Sequence, residues 1–373
     1  MKIVSMALLV GSVITAVPGF GIAQEAQSAH AVFVMTNSAE ANEVIAYERT
    51  EIGTLRESAH YKTEGRGSGG TVDPLASQGS LSLSRDGLWL FATNAGSGSL
   101  TAFRVAGSRL WLTDHIATEG SEPNSVAQYG NLVYVLNTAG SSSVAGFYFD
   151  DGKLVRIGGS LRFLSANAVG SGSVAFSPDG RFLVVTEKVT NSIDVFAVLP
   201  DGTLGPLVVN KNVGAGTFSA TFAQNGMLIV AETGAAGTNA SAVSSYAVEK
   251  DGSVSAITAS VPTLGAVTCW VAFSHDGRFV YTSSAGTSTV SGFAIAPTGV
   301  LSPLPGTVLA SNPPGSANLD IAVSADGRFA YTLNAGTGTI GQFALDPSTG
   351  ALTSLGVHEG LPAGAGLNGI AAN

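Results

Sequence analysis

Charge is scarce in this chain of 373 residues, cysteine is almost absent, and histidine is sparse. Only 12% of the residues are charged, and 26 acidic side chains outnumber 17 basic ones, for a net charge of −9. Nucleic acid or an anionic membrane would call for a basic patch, and the sequence shows none. Cys269 is the only cysteine, which excludes an internal disulfide even in an oxidising compartment. Set beside Trp270 and Val271, it reads as a small core residue rather than a nucleophile. The five histidines (His30, His60, His115, His275 and His358) show no ligand-pair spacing, which argues against a zinc site. The long apolar run near the N-terminus, Ile3 to Val17, follows Lys2 and ends at Gly21-Ile22-Ala23. That is the pattern of a secretory leader cut near Gln24, too short to be read as a membrane span. An uncleaved anchor is the alternative.

What is abundant is glycine, placed between short apolar runs. In Gly172 to Leu204, alternating Val174 and Phe176 lead to Pro178-Asp179-Gly180, a second run from Phe182 to Val185, and a third from Ile193 to Val198. Asp201-Gly202 then turns the chain into a fourth run at Leu204. Period-2 alternation with Asp-Gly pairs predicts antiparallel hairpins. Four strands in about 50 residues match one propeller blade.

Three columns recur seven times each. The third-strand aromatic is Tyr47, Phe103, Phe147, Phe196, Tyr246, Phe293 and Phe343. The fourth strand opens at Leu55, Leu110, Leu154, Leu204, Val254, Leu301 and Leu352. The second strand ends at Asn37, Asn94, Asn137, Glu187, Glu232, Ser284 and Asn334. The expected fold is an all-β, seven-bladed propeller: a leader over residues 1–23, then a single domain over 24–373. The first unit lacks an opening strand, while Asn368-Gly369-Ile370-Ala371-Ala372 resembles one. The C-terminus is therefore expected to complete the first blade, which removes an unpaired inner edge.

The stretch from Thr63 to Gln78 is the longest connection, and its Gly65-to-Gly70 segment invites comparison with a phosphate loop. No Lys-Ser/Thr pair or helix follows, so the motif lacks its context and a flexible loop is expected. Arg181, Arg278 and Arg328 follow the first turns of their blades and read as solvent-facing groups on one rim.

Equivalent positions of a propeller form rings around its channel. The asparagines ending the second strands read most simply as turn caps. Glutamate is a poorer turn residue, so Glu187 and Glu232, in adjacent blades, are the candidate catalytic pair, with a solvated charge as the plain alternative. Their carboxylates are expected to approach one another at the channel rim, which would raise one pKa. Asn94, Asn137 and Asn334, with Asn124 and Asp320 on the loops entering the first strands, are the candidate substrate-binding residues. A site of this composition would be carboxylate and amide, with little cationic character.

The Ser-Pro-Asp-Gly-Arg-Phe turn, the seven units and Asn-Ala-Gly-Thr-Gly-Thr-Ile at 334–340 resemble the seven-bladed propeller lactonases, a family that includes 6-phosphogluconolactonases and muconate-lactonising enzymes. Asp73-Pro74-Leu75-Ala76-Ser77-Gln78-Gly79-Ser80, Val185-Thr186-Glu187-Lys188 and Cys269-Trp270-Val271 resemble an exported, lactonase-like branch of it. Where the family's enzymes carry His-x-His this chain has Gly170-Ser171-Gly172, and where they carry Arg-His it has Phe218-Ser219. Their glutamate would fall at Thr233, one place after Glu232. The resemblance implies a hydrolase opening a small sugar or organic-acid lactone. The leader makes it periplasmic or secreted, and with only Lys188 near the proposed ring the lactone is expected to be unphosphorylated. The other function open to the fold is a non-catalytic propeller that binds a ligand or a protein. The expected partners are thus a small lactone or other ligand, with no metal, cofactor, nucleic acid or membrane span after leader cleavage, in a monomer.

Overall fold

A computed structural model describes residues 30–165, 170–234 and 240–373, and the expected leader and its expected cleavage point lie outside them. No helix is present among the described residues. The strands form seven antiparallel sheets, each a blade, arranged in a ring. Blade 4 is typical, with an inner strand Ser171–Phe176, a second strand Phe182–Glu187, a third Ser192–Val198 and an outer strand Leu204–Lys211. In blade 3 a short extra strand, Arg162–Phe163, also pairs with the third strand.

The first turn of most blades is built by its own side chains. In blade 4 Ser177 Oγ donates to Asp179 Oδ1 (2.7 Å), which also accepts from Arg181 N (3.1 Å), and Gly180 takes φ +71°. Ser274-Asp276 and Ser324-Asp326 repeat this pattern. A β-carbon at Gly180 would also strike the Tyr129 ring of the preceding blade.

The seven third-strand aromatics are all fully buried in the seams between blades. Burying each is worth on the order of 2–3 kcal/mol, so the column is a main source of blade cohesion. Leu183 and Val185 pack towards blade 3, on Tyr134 and Leu136. Val184 and Phe182 pack towards blade 5, on Leu228 and Val230.

The C-terminal strand Ile370–Ala372 completes blade 1, with Val34 opposite Ile370 and Val32 opposite Ala372. Met35 N donates to Gly369 O (3.1 Å) and Asn373 N to Ala31 O (3.0 Å), extending the closure. Arg49 of blade 1 adds a buried tie to blade 7: its Nη2 donates to Asp326 Oδ2 (2.6 Å) and its guanidinium lies 4.7 Å from the Phe329 ring centroid.

A candidate site in the blind central channel

The column that ends the second strands does not face the channel. All seven of its side chains are buried, and each joins the chain leaving the preceding blade. Asn94 Oδ1 accepts from Thr63 Oγ1 (2.6 Å), and Asn137 Oδ1 from Thr118 Oγ1 (2.7 Å). Asn334 Nδ2 donates to Asn312 Oδ1 (3.2 Å), and Asn37 Nδ2 to Gly366 O (3.1 Å). Ser284 reaches Thr263 through Thr268. The expected turn caps are latches across the seams.

Glu187 and Glu232 belong to the same ring of latches. Glu187 Oε2 accepts from Ser165 Oγ (2.9 Å) and from Thr190 Oγ1. Glu232 accepts from Asn212 Nδ2 (3.1 Å), Ser244 Oγ (2.6 Å) and Ser260 Oγ (2.8 Å). Their carboxylates do not meet at a rim. Glu187 lies on the face of blade 4 turned to blade 3 and Glu232 on the face of blade 5 turned to blade 4, so blade 4 stands between them. Equivalent places in neighbouring blades put side chains into successive seams, not against each other. Solvation fails as an explanation too, since both are fully buried.

Asn124 and Asp320 lie elsewhere, where the inner strands begin. There the long connection from blade 1 to blade 2 is no free loop, because residues 73–79 cross the axis. Ser77 Oγ donates to Asn124 O (2.7 Å) of blade 3, and Asn124 Nδ2 to Leu75 O (3.3 Å). Gln78 N donates to Gly172 O (2.8 Å) of blade 4. On the far side Trp270 Nε1 donates to Ser77 O (2.8 Å), and the Gln78 amide grips Val271 as a strand neighbour would, giving to its O (2.7 Å) and taking from its N (3.1 Å). Asn368 Nδ2 donates to Asp73 Oδ1 (3.1 Å), tying in blade 1. Asp73 and Ala76 take positive φ, the tight path this crossing needs. One end of the channel is thereby closed.

Below the plug the channel holds a cavity of about 490 Å³, with Gln78 and Asp320 at its closed end and Arg85, Tyr129, Phe176 and Phe222 towards its open end. The mouth is on the face of the Ser-x-Asp-Gly turns, opposite to the face where the sequence suggested a site. Each inner strand has a partner on one edge only, so its other edge faces the axis. Asp320 uses that edge: its carboxylate accepts from Ile321 N (3.0 Å) and Ile370 N (3.3 Å). Burial, with a smaller push from the Asp73 carboxylate, raises its pKa to about 7. Burial also raises Asp73 to about 6, against the pull of Asn368 and Lys188. A buried carboxyl poised near neutrality at the end of a cavity is the arrangement that general acid–base chemistry requires.

Asp320 reaches this place through a bulge. Asn318 pairs with Asn334 and Ile321 with Thr332, leaving Leu319 and Asp320 opposite one residue. Similar shifts occur between Pro123 and Ser125 and between Thr217 and Ala220. The sequence reading missed Asp73, Gln78 and Arg85. The available signal was a motif, Asp73 to Ser80, with more specific residues than a spacer needs. Among the described residues no cluster of three or more His, Cys, Asp or Glu side chains could hold a metal ion.

The model of the seven-bladed β-propeller lactonase family matches residues 27–169. No curated protein sequence matches the chain significantly. Its fold is similar to that of a candidate 6-phosphogluconolactonase from Bacteroides uniformis, at 17% identity and a TM-score of 0.68 over 93% of this chain and 100% of the other. It is similar to the periplasmic gluconolactonase PpgL of Pseudomonas aeruginosa at 20% identity, with a TM-score of 0.66 over 91% and 99% of the two chains. A Lactobacillus plantarum protein aligns at 18% identity with a TM-score of 0.68, over 93% and 99%. At such identities these likenesses establish fold and leave activity open. With seven sheets in a ring closed by the C-terminal strand, the chain is a seven-bladed β-propeller, and the lactonase-family match over residues 27–169 agrees with the resemblance read from the sequence.

Proposed function

We propose that the blind channel binds a small, unphosphorylated sugar or organic-acid lactone and opens it, with Asp320 as the general base. The observation that carries this is a single one: a buried carboxyl, raised to about 7, at the closed end of a cavity of about 490 Å³. Ionised Asp320 would take a proton from water as that water attacks the lactone carbonyl carbon. Inner-strand N–H groups facing the axis would donate to the oxyanion. The acyl C–O bond then breaks, and the proton on Asp320 passes to the leaving alkoxide, giving a hydroxy acid and returning the carboxylate. Phosphorylated lactones fit poorly at the closed end, where Asp320 lines the cavity and the Asp73 charge reaches it, while the lining cation, Arg85, stands towards the open end.

The lactonase family match and the gluconolactonase likeness support this substrate class. The leader pattern of residues 1–23, together with a periplasmic protein among the similar structures, supports export. Glu187 and Glu232 would serve by holding the channel wall in register. A binding-only propeller is the second reading, favoured by Gly170-Ser171-Gly172 and Phe218-Ser219 standing where the family's enzymes carry histidine and arginine.

The test is a pH-stat assay of aldonolactones with the mature protein and Asp320→Asn. Hydrolysis above the buffer rate that falls about 100-fold in the variant is expected. Equal rates in both proteins would remove Asp320 from the mechanism. A wild-type protein no faster than buffer would leave the binding-only propeller.

A further inference from the structure

Arg85 is out of place among the arginines of the turn rim. In blades 4, 6 and 7 the arginine follows the turn glycine, as Arg181, Arg278 and Arg328, and is more than half exposed at its side chain. Arg181 and Arg278 fold back onto the aspartates of their own turns, Nε to Asp179 Oδ2 at 2.5 Å and to Asp276 Oδ2 at 2.6 Å. Blade 2 has Leu88 at that place, and its cation has moved to the second turn position. Blades 4, 6 and 7 put Pro178, His275 and Ala325 there. Pro178 lines the channel cavity, so this position looks towards the axis, and Arg85 lines the same cavity.

Among the described residues Arg85 enters no ion pair, unlike the other three arginines. Its guanidinium lies 6.0 Å from the ring centroid of Tyr129, which limits its wandering and leaves its N–H fork available. Arg85 is also shared with a second hollow of about 570 Å³ between blades 1 and 2, where Arg104 and the half-exposed Trp111 stand. The channel is therefore electrically polarised, with a carboxyl at its blind end and an unpaired cation at its mouth.

We infer that Arg85 is an anion-recognition residue of the channel, holding the carboxylate of a small hydroxy acid at the mouth. This rests on the lactone reading above. Ring opening adds one water across the ester and yields a carboxylic acid that loses its proton to solvent. A neutral lactone offers Arg85 no charge, whereas the product offers a planar carboxylate matched to the guanidinium fork. Ionised Asp320 repels that carboxylate from the blind end. The product is thus drawn from the catalytic carboxyl to the mouth, and from there towards the hollow beside Arg104.

The experiment is calorimetric titration of the mature protein with sodium gluconate, and with neutral sorbitol as control, in low and high NaCl. Arg85→Gln and Arg85→Lys are compared with wild type after their melting curves are matched. Gluconate should bind wild type, weaken with salt, and bind Arg85→Gln at least tenfold less tightly, with Arg85→Lys between. Equal affinity in Arg85→Gln, equal binding of sorbitol, or no gluconate binding to wild type would each overturn the inference. Gluconolactone hydrolysis by the same preparations separates the two proposals. Arg85-dependent gluconate binding without hydrolysis removes the hydrolase and keeps the anion site, and hydrolysis with Arg85-independent gluconate binding does the reverse.

Discussion

Asp194 lies diagonally across the strand ladder from Glu187, and both carboxyls are sealed in the seam between blades 3 and 4. Among the described residues neither oxygen of Asp194 makes a close hydrogen bond, and its polar neighbours are the Glu187 carboxyl and the Ser165 backbone N–H. Lys211 is the cation whose charge reaches it. In the other blades the same position holds small or uncharged residues such as Thr101, Ala145, Ser244 and Ser291. Burial, and then the Glu187 carboxylate, raises Asp194 to about 8, so it is carried as the neutral acid at neutral pH.

This predicts an alkaline weakness. An unfolded aspartate titrates near 4, so between about pH 4 and 8 the folded chain holds a proton that the unfolded chain has lost. Stability from this group is complete below the unfolded pKa and falls as pH rises through the folded one, by at most about 1.4 kcal/mol per pH unit. Asp320 and Asp73, raised to about 7 and 6, act with the same sign over lower windows. Asp194→Asn should flatten the fall in urea midpoint from pH 5 to pH 8 and be the more stable protein at pH 9. Parallel curves for the two proteins would contradict this.

Glu232 satisfies three donors in a seam that excludes water, from Asn212, Ser244 and Ser260. Glu232→Ala should cost about 3 kcal/mol or more in equilibrium unfolding, because those donors lose their acceptor. Glu232→Gln keeps an acceptor and should cost less. A loss under about 1 kcal/mol in the alanine variant would mean that the latch is dispensable.

Ring closure should be visible in a truncation. Ending the chain after Gly366 removes the inner strand of blade 1, the Asn368–Asp73 bond and the Ile370 amide that donates to Asp320. The melting temperature should fall by more than about 10 °C. A melting curve like that of the full chain would refute closure by the C-terminal strand.

The plug can be loosened from the far side of the channel. Gln78→Ala leaves the Val271 N–H and C=O without the amide that pairs them. Hydrogen exchange at the Val271 amide should accelerate at least about tenfold, the equivalent of one lost hydrogen bond. Trp270→Phe should cost about 1 kcal/mol through the lost Ser77 bond. Unchanged protection at Val271 would mean that residues 73–79 rest on the channel without supporting it.

The blades were legible in the sequence because their information is local. Alternation, Asp-Gly turns and one aromatic per third strand each act within a few residues, and repetition carries the same signal round the ring. Even closure could be read, since Ile370–Ala372 has the pattern of an inner strand and the first unit lacks one. The direction in which the polar residues point could not be read. Glu187, Glu232 and the asparagines alternate in step with Leu183, Val185, Leu228 and Val230, whose faces are assigned only when the neighbouring blade covers them. At Asp320 a bulge breaks the two-residue period, so no alternation argument reaches it. The plug depends on contacts between residues as far apart as Gln78 and Val271, which no local pattern records. Which groups meet at the axis is thus decided when seven sheets close around it, for only then do burial and opposing strand edges determine which carboxyl keeps its proton.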